Sequence, residues 1–118
     1  MAVIALIANV IRIRQREGVG LADGGNDDLH RAIRIHGNFI ENVPLCLIVI
    51  AMVEATGHPA VLVHALGLAM LIGRFAHYHG LSSGAGKTPG RTIGMVLTFT
   101  VYIVGGATLV GAELSKLL

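Results

Sequence analysis

Residues 34–53 read RIHGNFIENVPLCLIVIAMV. The uncharged run from Val43 to Val53 asks for an apolar surrounding. The turns ahead of it, carrying Arg34, His36, Asn38 and Glu41, ask for water. One helix meets both demands only by crossing from one solvent into the other. Extended back to about Asp28, such a helix holds about 28 residues and is about 42 Å long, against a bilayer hydrocarbon core of about 30 Å. Its first turns therefore project into the membrane interface. Asn26 or Asp27 can cap it, since a short polar side chain satisfies free N–H groups at a helix start. Pro44 removes one intrahelical hydrogen bond and is expected to bend the helix, which a membrane bundle tolerates when neighbours satisfy the freed carbonyl.

Composition points the same way. Of 118 residues, 53% are hydrophobic and 14% charged, whereas soluble domains carry roughly 25% charged residues. Mean hydropathy is +0.71. So little polar surface cannot coat a small globule, and a bilayer is the natural solvent. The net charge of +2 is not gathered into a basic soluble face, so nucleic acid is not an expected partner. A single cysteine, Cys46, excludes an internal disulfide and sits where a small buried thiol serves packing.

Three further apolar segments surround this helix, and the chain reads as one all-α membrane domain with helices at about 1–16, 28–56, 60–81 and 91–115. Thr92 to Ala112 is uncharged and long enough to span. The segment after Pro59 runs without a breaker through RFAHYHG to Gly80. The first, MAVIALIANVI, is short, with about 11 residues ahead of Arg12, and is read as the end of a first transmembrane helix. Short connections make the four an up-down bundle. Arg12, Arg14, Arg16, Arg31, Arg34, Arg74, Lys87 and Arg91 fall at one side and only Lys116 at the other, which makes the first and third connections cytoplasmic. Small residues at spacings of four (Ala65, Ala69 and Gly73; Ala107 and Gly111) suit close helix packing, within the bundle or between subunits.

Arg31, Arg34, Asn38 and Glu41 share one helical face within about 80° of arc. An ion pair from either arginine to Glu41, bridged by Asn38, is one expectation; a structural polar cluster with snorkelling arginines is the other. Polar groups at the water boundary of a membrane span default to a functional reading. Arg74 and His77, three apart on the third helix, face one way at the same side; an aromatic and basic interfacial belt is the simpler account of RFAHYHG. His77 and His79 are two apart, a poor metal pair on a helix, and no metal is expected. Arg91 and Thr92 enter the fourth helix as an interface anchor, or as a cation and a hydroxyl donor able to stabilise a developing anion. The basic excess suits a carboxylate ligand, which arginine forks recognise.

These motifs resemble the MAPEG family, the membrane-associated proteins of eicosanoid and glutathione metabolism. RIHGNFIENVP is similar to the family's second-helix signature Arg-x-His/Gln-x-Asn-x-x-Glu with its following proline. GRFAHYHG is similar to its third-helix segment, and TPGRT to the loop before helix four in the prostaglandin E synthase branch; the stretch LADGGNDDLHRAIRIHGNFIENVPL also looks like small bacterial members. The resemblance covers roughly Arg12 to Leu114. It implies a four-helix bundle assembled as a homotrimer in a bacterial inner membrane, binding glutathione at the cytoplasmic end of the subunit interface. It further implies that Arg34, Asn38, Glu41, Arg74 and His77 hold glutathione, with Arg12 or Arg14 reaching in from the first helix. Arg91 matches the arginine taken to stabilise the thiolate, and Thr92 stands where the synthase branch has serine. Three positions depart from the pattern: Asn42 and Leu81 replace tyrosines, and Gly37 replaces an arginine.

The expected function is glutathione transfer to, or peroxide reduction on, a lipophilic electrophile arriving through the bilayer, with Arg91 and Thr92 catalytic. A non-catalytic membrane protein binding an anionic metabolite or a partner helix is the alternative. A small transporter using Glu41 as a proton-coupled carboxylate is a third.

Overall fold

A computed structural model describes residues 1–83, 86 and 88–117. The expectation for Lys87, which counted it among the cytoplasmic basic residues, lies outside the described residues. The fold is all-α: α1 Ala2–Glu17, α2 Asp27–Ala55, α3 Ala60–Ser82 and α4 Pro89–Leu117. The last three are each long and apolar enough to cross a membrane. α1 has 16 residues, about 24 Å of helix.

Local chemistry sets the ends. α1 stops at Gly18, whose positive φ of 66° is cheap only without a Cβ. α2 starts where Asn26 accepts the Leu29 N–H on its side-chain oxygen at 2.9 Å, and Asp27 and Asp28 in the first turn face the positive end of the helix dipole. The helix is continuous through Pro44. α4 begins two residues earlier than the sequence suggests. Pro89 occupies its first turn, where a missing N–H costs nothing, and the Thr88 hydroxyl donates to the Gly80 carbonyl at 2.8 Å. That bond ties the start of α4 to the end of α3.

The chain goes up and down, so α2 and α4 run parallel with α3 antiparallel between them. Asn38 meets Met95 and Asn42 meets Tyr102 across the parallel pair. α1 packs on α2 alone among the helices, through Val10 and Ile13 against Leu29 and Ala32. A second cluster of Cys46, Met70 and Val101 centres the three long helices, with Cys46 a buried packing residue. α3 and α4 approach most closely. A Cβ on Gly94 would stand 2.5 Å from the His77 Cβ, and one on Gly80 2.5 Å from the Arg91 nitrogen. In lipid no hydrophobic force joins helices, so backbone approach and dispersion must do it. The spacings of four among small residues only partly anticipate this seam. Gly73 lies in it against Leu97, whereas a Cβ on Gly111 would meet nothing within 4 Å.

Candidate functional site

The α3–α4 seam brings the start of α4 beside the end of α3, and α2 runs parallel to α4. Between them opens a cleft of about 820 Å³. From α2 it is lined by Arg31, Arg34 and Asn38; from α3 by His77 and Leu81; from α4 by Arg91 and Thr92. Farther along α4 its wall becomes Met95, Val96 and Phe99. Over the eight residues from Arg91 to Phe99, about 12 Å of helix rise, the lining passes from cationic to apolar. Asp27 and His30 close the mouth.

Asn38 is held from behind. Its Oδ1 accepts a hydrogen bond from Arg74 Nη1 at 2.6 Å, and its Nδ2 points to the Met95 sulfur at 3.8 Å. Arg74 also donates through Nη2 to the Gly94 carbonyl at 3.3 Å and to the Thr98 hydroxyl. Thr98 is fully buried, and its hydroxyl donates a hydrogen bond to the Gly94 carbonyl at 2.7 Å. Arg74 therefore crosses from α3 to both α2 and α4 without lining the cleft. Its Nε is buried and has no partner. His77 is 8% exposed and lies within electrostatic reach of Arg74, Arg91 and Arg34. Arg91 donates from Nη1 to the Gly86 carbonyl at 3.0 Å, which steers its guanidinium at the lip of the cleft.

The structure leaves other candidates apart. Glu41 sits a turn beyond Asn38 on α2, is exposed, and lies outside the lining. The ion pairs among the described residues are Arg16–Glu17, His30–Asp23 and Lys116–Glu113, so the expected Arg–Glu41 pair does not form; Asn38 faces Arg74 instead. Arg12 donates to Asn9 Oδ1 at 2.8 Å, and Arg14 to the Val19 carbonyl at 3.4 Å. Neither reaches this cleft within the protomer. Asn42, in place of a tyrosine, is turned to α4, where the Tyr102 hydroxyl donates to its carbonyl at 3.1 Å. Leu81 contributes an apolar wall.

Thr98 and Phe99 escaped sequence reasoning, as did the loop residue behind His30. Asp23 accepts the Gly25 N–H at 3.0 Å and meets His30 Nδ1 at 2.5 Å. The Gly25 N–H and, after it, His30 hold the Asp23 carboxyl below its ordinary range. A DGGN turn ending in a helix cap was the available signal; the His30 link is tertiary and leaves none.

The MAPEG family model matches residues 1–111. The chain belongs to the MAPEG family. It is a membrane protein of that family, and three helices among the described residues are long and apolar enough to cross a membrane. It is also 39% identical over 72 residues to the inner membrane protein YecN of Escherichia coli K12, and equally to YecN of Escherichia coli O6:H1, covering 61% of this chain and 55% of each relative. The chain thus spans about half the length of the curated relatives it matches. No solved structure matches it.

Proposed function

We propose that this MAPEG protein is a glutathione-dependent enzyme that joins the glutathione thiol to a lipophilic electrophile, or reduces a lipid peroxide with it. The observation that carries the reading is the lining of one cleft by Arg31, Arg34 and Arg91 at its polar end and by Met95, Val96 and Phe99 at the other. A tripeptide with two carboxylates suits the first end. An apolar co-substrate suits the second.

In this reading the arginine forks take the carboxylates. Asn38, fixed by Arg74, offers its amide. Glu41, exposed just beyond, takes the glutathione amine, and His77 backs the ligand from α3. Arg91 stands at the thiol, where a cation within about 4–6 Å lowers an acidic group's pKa by about 1–3 units. Thr92 adds a hydroxyl donor. The thiol proton leaves to water and the sulfur attacks the electrophilic carbon. A C–S bond forms as the leaving group departs with its electron pair. No protein side chain becomes covalently bound. A homotrimer covering the open side of the cleft, with the site on the cytoplasmic face of a bacterial inner membrane, completes the proposal. The name of the YecN relatives supports the inner membrane, and the one-sided distribution of arginines supports the cytoplasmic face.

Detergent-solubilised protein is expected to conjugate a chlorinated nitrobenzene with glutathione, and Arg91→Ala to remove most of that rate. A non-catalytic binder is the second reading, favoured by the aliphatic wall that Leu81 puts in the cleft. Calorimetric glutathione binding with no turnover across several electrophiles selects it.

A further inference from the structure

A second groove, of about 360 Å³, opens between α1, the start of α2 and the end of α3. It exists because α1 packs only on α2 and leaves the end of α3 uncovered. Arg12, Arg16 and Arg31 line its mouth together with a single acid, Asp28. Arg16 is neutralised by Glu17 at 2.5 Å. Arg12 and Arg31 take part in none of the ion pairs among the described residues, so two guanidinium groups, one of them bonded to Asn9, share an opening that holds a single carboxylate. The floor is different. Leu6 lies six residues before Arg12, about 9 Å farther from the basic end, and Ile35 lies four after Arg31, about 6 Å farther in the same sense.

The geometry points to an anion site for a phosphate ester in this groove, which shares Arg31 with the proposed glutathione cleft, with the phosphate held by Arg12 and Arg31. The graded lining matches an anionic phospholipid, its phosphate among the arginines and the head of an acyl chain along Leu6 and Ile35. Guanidinium forks match phosphate geometry, and basic pockets between transmembrane helices take anionic headgroups. A water-soluble phosphate ester shares the headgroup chemistry but leaves the apolar floor unused. Ordinary snorkelling of interfacial arginines makes a different prediction, because it attracts anionic lipid without a counted site and depends only on how many charges remain.

Native mass spectrometry of the detergent-solubilised full chain separates these. The probes are phosphatidylglycerol, phosphatidylcholine and glycerol phosphate, and helicity by circular dichroism checks that each variant is folded. One phosphatidylglycerol should bind saturably per chain, well ahead of phosphatidylcholine. Arg12→Gln with Arg31→Gln should weaken that binding about 30-fold, the combined effect of two headgroup-level arginines. Arg14→Gln, on the same helix as Arg12 but outside the groove, should leave that binding nearly unchanged. Glycerol phosphate binding as tightly as the lipid keeps the phosphate site and makes its source aqueous. Equal affinity for both lipids, or equal losses in the Arg14 variant and the double variant per charge removed, overturns the site. The measurement needs no glutathione, so its failure leaves the enzymatic reading standing, and the converse holds.

Discussion

Arg74 Nη1 donates to Asn38 Oδ1 at 2.6 Å, joining α3 to α2 directly behind the cleft. The same guanidinium reaches Thr98 and the Gly94 carbonyl on α4, so one cation fixes all three long helices. In the proposed glutathione site, Arg74 acts on the ligand through Asn38. Thr98→Val removes one acceptor and one donor from this network. An interhelical hydrogen bond in a membrane is worth about 0.6 kcal/mol and at most about 1.7. Thr98→Val should therefore cost about 1 kcal/mol in a denaturant titration in detergent. Arg74→Ala should cost more and should also weaken glutathione binding, because Asn38 loses its anchor. Calorimetry on Arg74→Ala showing unchanged affinity would contradict the positioning role.

Gly94 lies where α3 and α4 touch. Its Cβ in an alanine variant would meet the His77 Cβ at 2.5 Å and the Gly73 carbonyl at 2.6 Å. Neither neighbour is the flexible tip of a side chain, so the helices must part. Gly94→Ala should lower the thermal midpoint in detergent, by an overpacking cost of about 1–3 kcal/mol. Gly106→Ala, with open space around the new methyl, should leave the midpoint unchanged or raise it slightly. Equal midpoints in both variants would mean that the seam is looser than described.

The loop ahead of α2 should show its chemistry as a pH dependence. Asp23 is depressed, first by the Gly25 N–H and then by His30. A depressed carboxyl contributes order above its unfolded pKa, about 3.9 for aspartate, and that contribution is lost as pH falls through the folded value. The Gly25 amide resonance should therefore titrate with a midpoint below about 3.9. His30→Ala should raise the midpoint without restoring it fully, because the larger cause remains. A midpoint at or above the ordinary value in the parent protein would refute the assignment.

Glu41 makes no ion pair among the described residues and is exposed. Glu41→Gln should accordingly leave the thermal midpoint in place while weakening glutathione about tenfold or more, since a hydrogen bond to a charged group contributes about 1.5–3 kcal/mol. A lowered midpoint with unchanged affinity would make Glu41 structural.

Much of the architecture was legible because it is local. Apolar run lengths pointed to three spans, Asn26 or Asp27 marked the start of α2, where Asn26 is the cap, and a spacing of three and four put Arg31, Arg34 and Asn38 on one face. Relations between helices were not legible. Nothing in the spacing of α3 says that Arg74 turns to Asn38 and Thr98, or that Glu41 is left unpaired, because each depends on the register between helices. The α3–α4 seam at Gly80, Gly90 and Gly94 sets that register. Those glycines fall on loop-adjacent turns where a glycine ordinarily reads as a helix end. For Arg12 and Arg14 the sequence shows only that they end a helix; that α1 leans on α2 alone, and so away from the cleft, is tertiary.

The most direct test is a glutathione titration of the solubilised protein, followed at the thiolate absorbance in the ultraviolet, with Arg91→Ala beside the parent. The parent should develop a saturable thiolate signal at neutral pH, where free glutathione remains a thiol. Arg91→Ala should lose most of it, as a rise of about one pKa unit or more in the bound thiol requires. A bound glutathione that stays a thiol in the parent, or a full thiolate signal in Arg91→Ala, would contradict a glutathione-activating site in this cleft.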